Sequence, residues 1–168
     1  MQMRIGIGYD VHPLVRGRSL VLGGTQIPFD KGLAGHSDAD VLTHAIMDAL
    51  LGAVGLRDIG YQFPSNRPEY ENISSLVLLG RVSDLLAERG FRINNIDSTI
   101  VAEQPKVGLF ISDMCENLCL TLGIAPEQVM VKATTTDGLG FAGKGHGIAA
   151  YAVVSVEEIS QDKPGLKI

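Results

Sequence analysis

Residues 36–55 read HSDADVLTHAIMDALLGAVG, and they form the clearest helical pattern of the chain. Apolar residues recur there three and four positions apart, which is the spacing of one face of an α-helix. Ser37 or Asp38 can cap the amino end, and Gly55 can end the helix. A helix of this kind buries its apolar face against a second layer of structure. The predicted apolar face consists of Val41, Leu42, Ala45, Ile46, Ala49, Leu50 and Ala53.

Strand patterns precede and follow this helix, and two further helices lie between them. Apolar runs on either side of Gly23-Gly24 predict a two-residue hairpin. Strands alternating with single helices favour an α/β or α+β fold, in which helices pack on one face of a mixed sheet. The predicted strands cover 4–10, 19–22, 25–28, 95–103, 129–135 and 146–156, the other helices cover 74–88 and 107–122, and loops cover 30–37, 56–73 and 138–147.

Length and composition bound the class of protein. The 168 residues indicate one domain, which we place at residues 1–157, with a frayed polar tail at 158–168. A net charge of −5 and the lack of Trp argue against a nucleic-acid binder. No secretory signal or membrane span is recognisable, so we predict a cytoplasmic protein. Cys115 and Cys119 lie four residues apart in a helical pattern and are predicted to be reduced and buried.

Asp10, His12 and His44 form a candidate metal site. Asp10 and His12 are two positions apart in a strand, so their side chains point to the same side. His44 lies away from the apolar face of its helix and beside Asp40 and Asp48, whose carboxylates can hold a second ring nitrogen. Two histidines and one carboxylate with an open fourth position are typical of a catalytic zinc. Taken singly, the same residues have simpler explanations. Asp10 and His12 fit a turn aspartate with a surface histidine, and His44 fits a solvated acidic helix face.

Residues 132–137 read KATTTD and follow an apolar strand. Their hydroxyls, lysine and carboxylate suit a metal–phosphate assembly, although threonines are also common on a strand surface. The glycine-rich segment 138–147 allows backbone N–H groups to approach phosphate oxygens. It lacks the P-loop pattern, and it fits a hairpin connector equally well. The start of the helix near Ser37 is a further candidate anion site.

Several separate motifs occur in a fixed order along the chain. They are Asp10-Val11-His12, His36-Ser37-Asp38-Ala39-Asp40 with His44, Asp58-Ile59-Gly60 with Phe63-Pro64, Ala102-Glu103-Gln104-Pro105-Lys106, and KATTTDGLGF at 132–141. On these motifs the chain, from about Arg4 to Glu157, resembles the 2-C-methyl-D-erythritol 2,4-cyclodiphosphate synthase family of methylerythritol phosphate isoprenoid synthesis.

The resemblance implies a homotrimer of ferredoxin-like α/β units with active sites between subunits. It also implies a phosphorus–oxygen lyase whose substrate is 4-diphosphocytidyl-2-C-methyl-D-erythritol 2-phosphate. The 2-phosphate attacks the β-phosphate, which gives 2-C-methyl-D-erythritol 2,4-cyclodiphosphate and CMP. Because the nucleophile belongs to the substrate, the protein has to align two phosphates and neutralise their charge.

The resemblance assigns roles to residues by position. The three candidate metal ligands would hold zinc, and Asp137 would hold a magnesium or manganese ion. His36 and Thr135 would stabilise the transition state. The residues expected to bind the substrate are Ser37, Asp58, Ile59, Gly60, Phe63, Ala102, Glu103, Gln104, Pro105, Lys106, Thr134, Thr136, Phe141 and Lys144.

The chain differs from the residues usual in this family at four places. Ser65-Asn66-Arg67 replaces Asp-Thr-Asp, which changes the contacts of that loop. Asp137 replaces Glu and is one methylene shorter, so the second metal would lie at a slightly different position. Lys144 replaces Arg and loses a bidentate phosphate contact. His146 replaces Glu, and we expect it at the surface.

Two other functions fit the same residues. A zinc-dependent phosphohydrolase would use a metal-bound water, and its product would contain oxygen from that water. A trimeric binding module without turnover would bind metal and nucleotide but release no CMP. The three zinc-ligand positions and Thr134–Thr136 are intact, which favours the cyclising lyase.

Overall fold

The computed structural model of the chain describes residues 2–159. It consists of a mixed sheet with three long helices packed on one face. The strands are β1 (Met3–Arg16), β2 (Leu20–Leu22), β3 (Thr25–Ile27), β4 (Lys31–Leu33), β5 (Phe91–Val101), β6 (Val129–Thr134) and β7 (Gly147–Glu158). The helices are α1 (Val41–Ala53), α2 (Ile59–Gln62), α3 (Ser75–Glu88), α4 (Ile111–Leu122) and α5 (Gly140–Gly143), and short 3-10 helices cover Pro68–Tyr70, Gly108–Phe110 and Pro126–Gln128.

Five strands form one sheet in the order β4-β1-β7-β5-β6, and β2 and β3 pair separately as a hairpin. β7 is antiparallel to both β1 and β5, whereas β5 and β6 are parallel. β1, β5 and β6 therefore run in the same direction. The segments that leave β5 and β6 emerge at the end of the sheet toward which β1 runs. The mixed sheet predicted from the sequence is confirmed, and its topology gathers several of the motifs at one end.

α1 lies directly against β1, where two glycines leave room for it. A Cβ atom on Gly6 would lie 1.9 Å from the carbonyl oxygen of Ala49, and one on Gly8 would lie 1.9 Å from that of Ala45. No side chain fits at either glycine, so the close approach of strand and helix depends on both. Asp10 follows on the same face of β1, and this packing places it beside α1.

α1 is buried around almost its whole circumference, which differs from the two-faced helix predicted from the sequence. The sheet covers its apolar face, and α3 packs against another side. His44 therefore retains only 7% of its exposure, although it points away from the apolar face. The helical spacing identified the face correctly, but it contained no information about the neighbours that cover the other side.

The N-cap of α1 is Asp40, and not Ser37 or Asp38 as predicted. The fully buried carboxylate of Asp40 accepts hydrogen bonds from the N–H of Thr43 at 3.0 Å and from its hydroxyl at 2.8 Å. It also accepts from two N–H groups at the tip of the β2–β3 hairpin, at 2.9 and 2.7 Å. One carboxylate thus starts the helix and fixes the hairpin to it.

The element predictions are confirmed for the hairpin, α3, α4, β6 and β7, with shifts of a few residues at their ends. β1 is longer than predicted. Residues 11–13 continue the pairing with β7, and residues 14–16 pair with β4, which lies in a segment predicted as a loop. β5 begins at Phe91, earlier than predicted. α2 and α5 are single turns inside the predicted loops 56–73 and 138–147.

β7 continues through Glu158, and the N–H of Ile159 donates to the carbonyl of Gly90 at 2.7 Å. These two residues are therefore tied to the sheet and do not belong to the predicted tail. The rest of that tail, 160–168, lies outside the described residues. Both cysteines are free thiols as predicted; Cys119 is buried, whereas Cys115 is half-buried.

The face of the sheet opposite the helices is apolar and exposed. Ile5 and Ile7 on β1 retain 67% and 72% of their exposure. Tyr9 pairs with Tyr151 of β7 at a ring-centroid distance of 4.8 Å, and both rings are open on this face. An exposed apolar patch of this kind is typical of a surface that binds another molecule. Among the helices at 2–159, none has the length and apolar character that crossing a membrane requires.

Candidate metal centre and adjoining cavity

Three donor atoms converge where β1 passes the first turn of α1. The Oδ2 atom of Asp10 lies 3.0 Å from Nε2 of His12 and 2.9 Å from Nδ1 of His44. The two histidine nitrogens lie 3.2 Å apart. The structure therefore brings together the three residues predicted as metal ligands, and within 2–159 they are the one group of this kind.

The ring nitrogen of each histidine that faces away from the cluster has a hydrogen-bond partner. Nδ1 of His12 lies 2.7 Å from the carbonyl oxygen of Ala34, to which it must donate. Nε2 of His44 lies 3.1 Å from the hydroxyl of Ser37 and 3.0 Å from the hydroxyl of Ser75. Such partners orient a metal-binding imidazole and select its tautomer.

Neither aspartate that was predicted to hold the His44 ring does so. Asp40 is occupied as the N-cap of α1, as described above. The carboxylate of Asp48 accepts from the N–H of Ile59 at 2.8 Å. The i±4 spacing placed both aspartates on the correct side of the helix, but a serine on a different helix lies closer to the ring.

The cluster is arranged to hold charge. Burial alone would raise the pKa of Asp10, but hydrogen bonds from His12 and His44 hold it well below its usual range. Burial also opposes a charge on His12, yet the hydrogen bond and negative charge of Asp10 outweigh it and raise the pKa of His12. One carboxylate facing two imidazole nitrogens thus attracts a cation.

The donor set fits zinc. Because Nδ1 of His12 donates to Ala34, the neutral imidazole presents the lone pair of Nε2 to the cluster. Two imidazole nitrogens and one carboxylate oxygen are ligands that zinc accepts, and a three-residue set leaves a fourth position open. The open side borders a cavity, which is what a catalytic centre requires.

A cavity of about 620 Å³ adjoins the cluster. Besides the three cluster residues, five predicted residues line it, namely His36, Ser37, Ile59, Gly60 and Phe63. The loop that differs from the family pattern also contributes, and α3 closes one side. The further lining residues, which the sequence analysis did not predict as binding residues, are Pro64, Ser65, Asn66, Tyr70 and Leu78.

Asp58 lies at the amino end of α2, beside the cavity lining. Its carboxylate accepts from the N–H of Tyr61 at 2.8 Å and caps this single helical turn. This helical turn holds Ile59 and Gly60 at the cavity. Asp58 therefore stabilises the turn that presents Ile59 and Gly60.

The remaining predicted site residues form a second group at the ends of β5 and β6. The N–H of Ala102 donates to the carbonyl of Thr134 at 3.0 Å. The hydroxyl of Thr135 lies 3.4 Å from a carboxylate oxygen of Asp137, and the N–H of Gly138 lies 3.4 Å from Glu103. The other members are Gln104, Pro105 and Lys106 on the segment after β5, Thr136, and the exposed Phe141 and Lys144 on or next to α5.

The two groups lie side by side at one end of the sheet but do not touch within one chain. Val11, Ala149, Val101 and Thr134 are successive partners across β1, β7, β5 and β6. Three inter-strand spacings separate the outer two, which is about 14 Å. The structure therefore does not bring Thr135 or Asp137 to the metal cluster of the same chain. His146 is exposed, as predicted.

The sequence is similar to a known family over almost its whole length. A model of the YgbB family matches residues 3–157. A protein of Pelotomaculum thermopropionicum named 2-C-methyl-D-erythritol 2,4-cyclodiphosphate synthase is 61% identical over 159 residues, which cover 95% of this chain and 98% of that protein. The chain belongs to the YgbB family of 2-C-methyl-D-erythritol 2,4-cyclodiphosphate synthases. The resemblance stated on the motifs is confirmed.

Solved structures of YgbB-family proteins have the same fold. The bifunctional IspDF from Campylobacter jejuni matches with a TM-score of 0.90 at 40% identity, over 94% of this chain and 42% of that chain. IspF from Plasmodium falciparum, in a CDP complex, matches with a TM-score of 0.82 at 31% identity, over 94% of this chain and 97% of that chain. The mixed α/β architecture thus agrees with that of its relatives.

Ser75 and Tyr70 are the site residues that the sequence analysis missed most clearly. Ser75 is fully buried and contacts His44, whereas Tyr70 packs edge-on against Phe63 at a centroid distance of 5.6 Å. In the sequence, Ser75 follows Ser74 at a predicted helix start, where a serine is explained by capping alone. No signal marked Tyr70, because the loop around it has no periodic pattern.

Proposed function

We propose that the protein converts 4-diphosphocytidyl-2-C-methyl-D-erythritol 2-phosphate to 2-C-methyl-D-erythritol 2,4-cyclodiphosphate and CMP, in the methylerythritol phosphate pathway. An oxygen of the 2-phosphate forms a bond to the β-phosphorus, and the bond from that phosphorus to the bridging oxygen of the CMP moiety breaks. No water is consumed, so the reaction is that of a phosphorus–oxygen lyase. The convergence of Asp10, His12 and His44 beside a cavity carries the proposal, together with family membership.

Zinc held by Asp10, His12 and His44 would supply a Lewis acid that neutralises charge on a phosphate oxygen. Ser37 and His36 line the same cavity and can donate hydrogen bonds to phosphate oxygens. The α2 turn presents Ile59 and Gly60 to the methylerythritol portion, and Asp58 orients that turn. Fixed donors of this kind stabilise the charge that develops during phosphoryl transfer.

The second group of residues completes the site from a neighbouring copy of the chain in this proposal. Within one chain, the end of β6 lies about 14 Å from β1 across the sheet, and the sheet face beside the two groups is apolar and exposed. Association through that face as a homotrimer would bring Thr135 and Asp137 of one copy to the metal cluster of another. Residues 102–106 with Thr134 and Thr136 would then surround the cytidine. Asp137 would hold the magnesium or manganese ion at the diphosphate, with Lys144 and Phe141 nearby.

A CDP complex of the Plasmodium falciparum relative supports a cytidine nucleotide as a ligand of this chain. The relative is 31% identical and covers 94% of this chain. The cytoplasmic location predicted from the sequence stays a prediction.

Phosphorus NMR of the reaction tests the proposal. The purified protein is incubated with zinc, magnesium and the diphosphocytidyl substrate, and we expect CMP together with a cyclic diphosphate. CMP with an open-chain phosphate would instead identify a hydrolase. Zinc and nucleotide binding without CMP release would identify a binding module.

Two histidine variants provide the matched control for this assay. His12→Gln removes a proposed zinc ligand, and we expect it to abolish cyclisation. His146→Gln changes an exposed histidine outside the cavity, and we expect it to retain activity. Cyclisation by His12→Gln at the rate of the unaltered protein would contradict the proposed role of the cluster.

A further inference from the structure

Ser75 links a carboxylate to the metal cluster. Its hydroxyl lies 3.0 Å from Nε2 of His44 and donates a hydrogen bond to Oδ1 of Asp38. The other carboxylate oxygen of Asp38 accepts from the backbone N–H of Ser75 at 2.9 Å. The side chain of Ser75 is fully buried, so no water competes for these contacts.

The direction of these hydrogen bonds follows from what each group can do. An ionised carboxylate only accepts, so the hydroxyl proton of Ser75 goes to Asp38. The lone pairs of the serine oxygen then remain for an N–H group, and the nearest is that of His44. In the metal-free cluster Nδ1 of His44 can donate to Asp10, at 2.9 Å. When Nδ1 instead binds a metal through its lone pair, Nε2 carries the proton and donates it to the serine oxygen.

We propose that Ser75 is a positioning residue for the metal centre. With Asp38 it forms a relay that fixes the tautomer and ring orientation of His44. Asp38 acts on the imidazole through the serine hydroxyl, which raises the basicity of Nδ1 as a metal ligand. The inference deepens the proposed function, because it requires that Asp10, His12 and His44 bind a metal.

The backbone around the relay is held on both sides. The N–H of Asn72 donates to the carbonyl of His36 at 2.8 Å, and the N–H of Asp38 donates to the carbonyl of Ile73 at 3.1 Å. These bonds tie the segment before α3 to the segment before α1. They hold Ser75 beside His44.

A purely structural role in helix capping does not account for the serine hydroxyl. Ser74 is the N-cap residue of α3, and its side chain makes no capping hydrogen bond. Asp38 supplies the cap by accepting the backbone N–H of Ser75, and this bond does not need the hydroxyl. Replacement by alanine therefore removes the relay and leaves the cap.

Ser37 replaces only part of the relay. Its hydroxyl is 3.1 Å from Nε2 of His44, and it already accepts from the N–H of Ala39 at 3.1 Å. In a Ser75→Ala variant Ser37 still contacts the ring, but the link to Asp38 is lost. We therefore expect weaker metal binding rather than none.

Zinc affinity of the full chain, measured by competition with a chromophoric chelator, tests the relay. Ser75→Ala should bind zinc about 10- to 100-fold more weakly than the unaltered protein, which is the effect of losing an outer partner of a ligating histidine. The matched control, Ser74→Ala, should bind zinc as the unaltered protein does. Cobalt(II) in place of zinc gives a second readout, because its visible spectrum should change in Ser75→Ala and not in Ser74→Ala.

Asp38→Asn provides the second variant if Ser75→Ala does not fold. It keeps the shape of the side chain and one accepting oxygen, and it should also weaken zinc binding. The relay is overturned if both variants bind zinc with the affinity of the unaltered protein. It is also overturned if Ser74→Ala weakens zinc binding as much as Ser75→Ala. Failure of the unaltered protein to bind zinc would overturn the metal centre itself, so the two failures are distinguishable.

Discussion

At the level of single residues, the cluster depends on the charge of Asp10, which lies within 3.0 Å of both histidines. Asp10→Asn keeps the shape of the side chain but removes the negative charge. We expect zinc affinity to fall by more than about 100-fold, which exceeds the effect of losing an outer partner. Metal analysis after dialysis measures this, and circular dichroism checks that the fold is retained. Full zinc occupancy of the variant would show that the ion is held elsewhere.

The pH dependence of stability follows from the pKa of His12, which is raised above 6.5 in the folded, metal-free protein. The folded state therefore holds a proton that the unfolded chain releases. The His12–Asp10 pair stabilises the fold fully below about pH 6.5, and this contribution is lost as the pH rises through the raised pKa. Asp10 acts at the acid end, because its lowered pKa gives stability that is lost as the pH falls below 3.8.

Thermal unfolding in the presence of a chelator checks this sign. The melting temperature of the unaltered protein should exceed that of His12→Gln by more at pH 6 than at pH 9. A difference that grew with pH would mean that the folded state prefers neutral His12.

Whether the role of a residue could be predicted depended on whether local geometry or a contact between distant elements decides it. The spacing of Asp10 and His12 predicted that both point to one side, because strand geometry alone decides it. That His44 lies beside them was predicted only from the combination of motifs along the chain. Ser75 was not predicted, because its role depends on the amino end of α3 lying against α1, and no local pattern contains that contact.

At the level of elements, the packing of α1 on β1 limits what Gly6 can become. Gly6→Ala places a Cβ atom 1.9 Å from the carbonyl oxygen of Ala49, so backbone has to move. We expect a loss of about 3 kcal/mol or more in the free energy of unfolding. Chemical denaturation measures it.

Gly52→Ala, within α1, is the matched control. A Cβ atom at Gly52 meets nothing within 4 Å, and alanine favours the helical conformation. The expected gain is about 0.5–1 kcal/mol. Equal destabilisation by both substitutions would show that the strand–helix distance is not the limiting factor.

The element predictions succeeded where a pattern is periodic and failed where an element is too short to show a period. The apolar residues of α1 and α4 recur at helical spacing, and both helices were predicted. β4 is only Lys31–Leu33, and it exists because residues 14–16 pair with it. Three residues carry too little side-chain alternation to reveal a strand.

At the level of the whole molecule, the exposed apolar face of the sheet predicts self-association. Ile7 on β1 retains 72% of its exposure. Ile7→Glu would bury an unpaired charge in the proposed trimer, so we expect the dissociation constant to rise at least ~100-fold. Light scattering after gel filtration gives the mass. Val77→Glu, at an exposed position on α3, is the control and should stay associated.

An unchanged mass for Ile7→Glu would place the association surface elsewhere.

The fold class was predictable from the order of elements, because strands and helices alternate. The apolar outer face was not predicted. Small residues of β1 point inward and large apolar residues point outward, and an alternating pattern alone does not tell which side another layer covers.

The separation of the two groups within one chain has a genetic consequence. A chain carrying His12→Gln and a chain carrying Thr135→Ala would each be inactive as a pure population. Mixed trimers formed from both would pair an undamaged metal cluster of one parent with an undamaged threonine segment of the other. Two null alleles expressed in one cell would then restore part of the activity, whereas a chain that carries both lesions would restore none when it is expressed with either single variant.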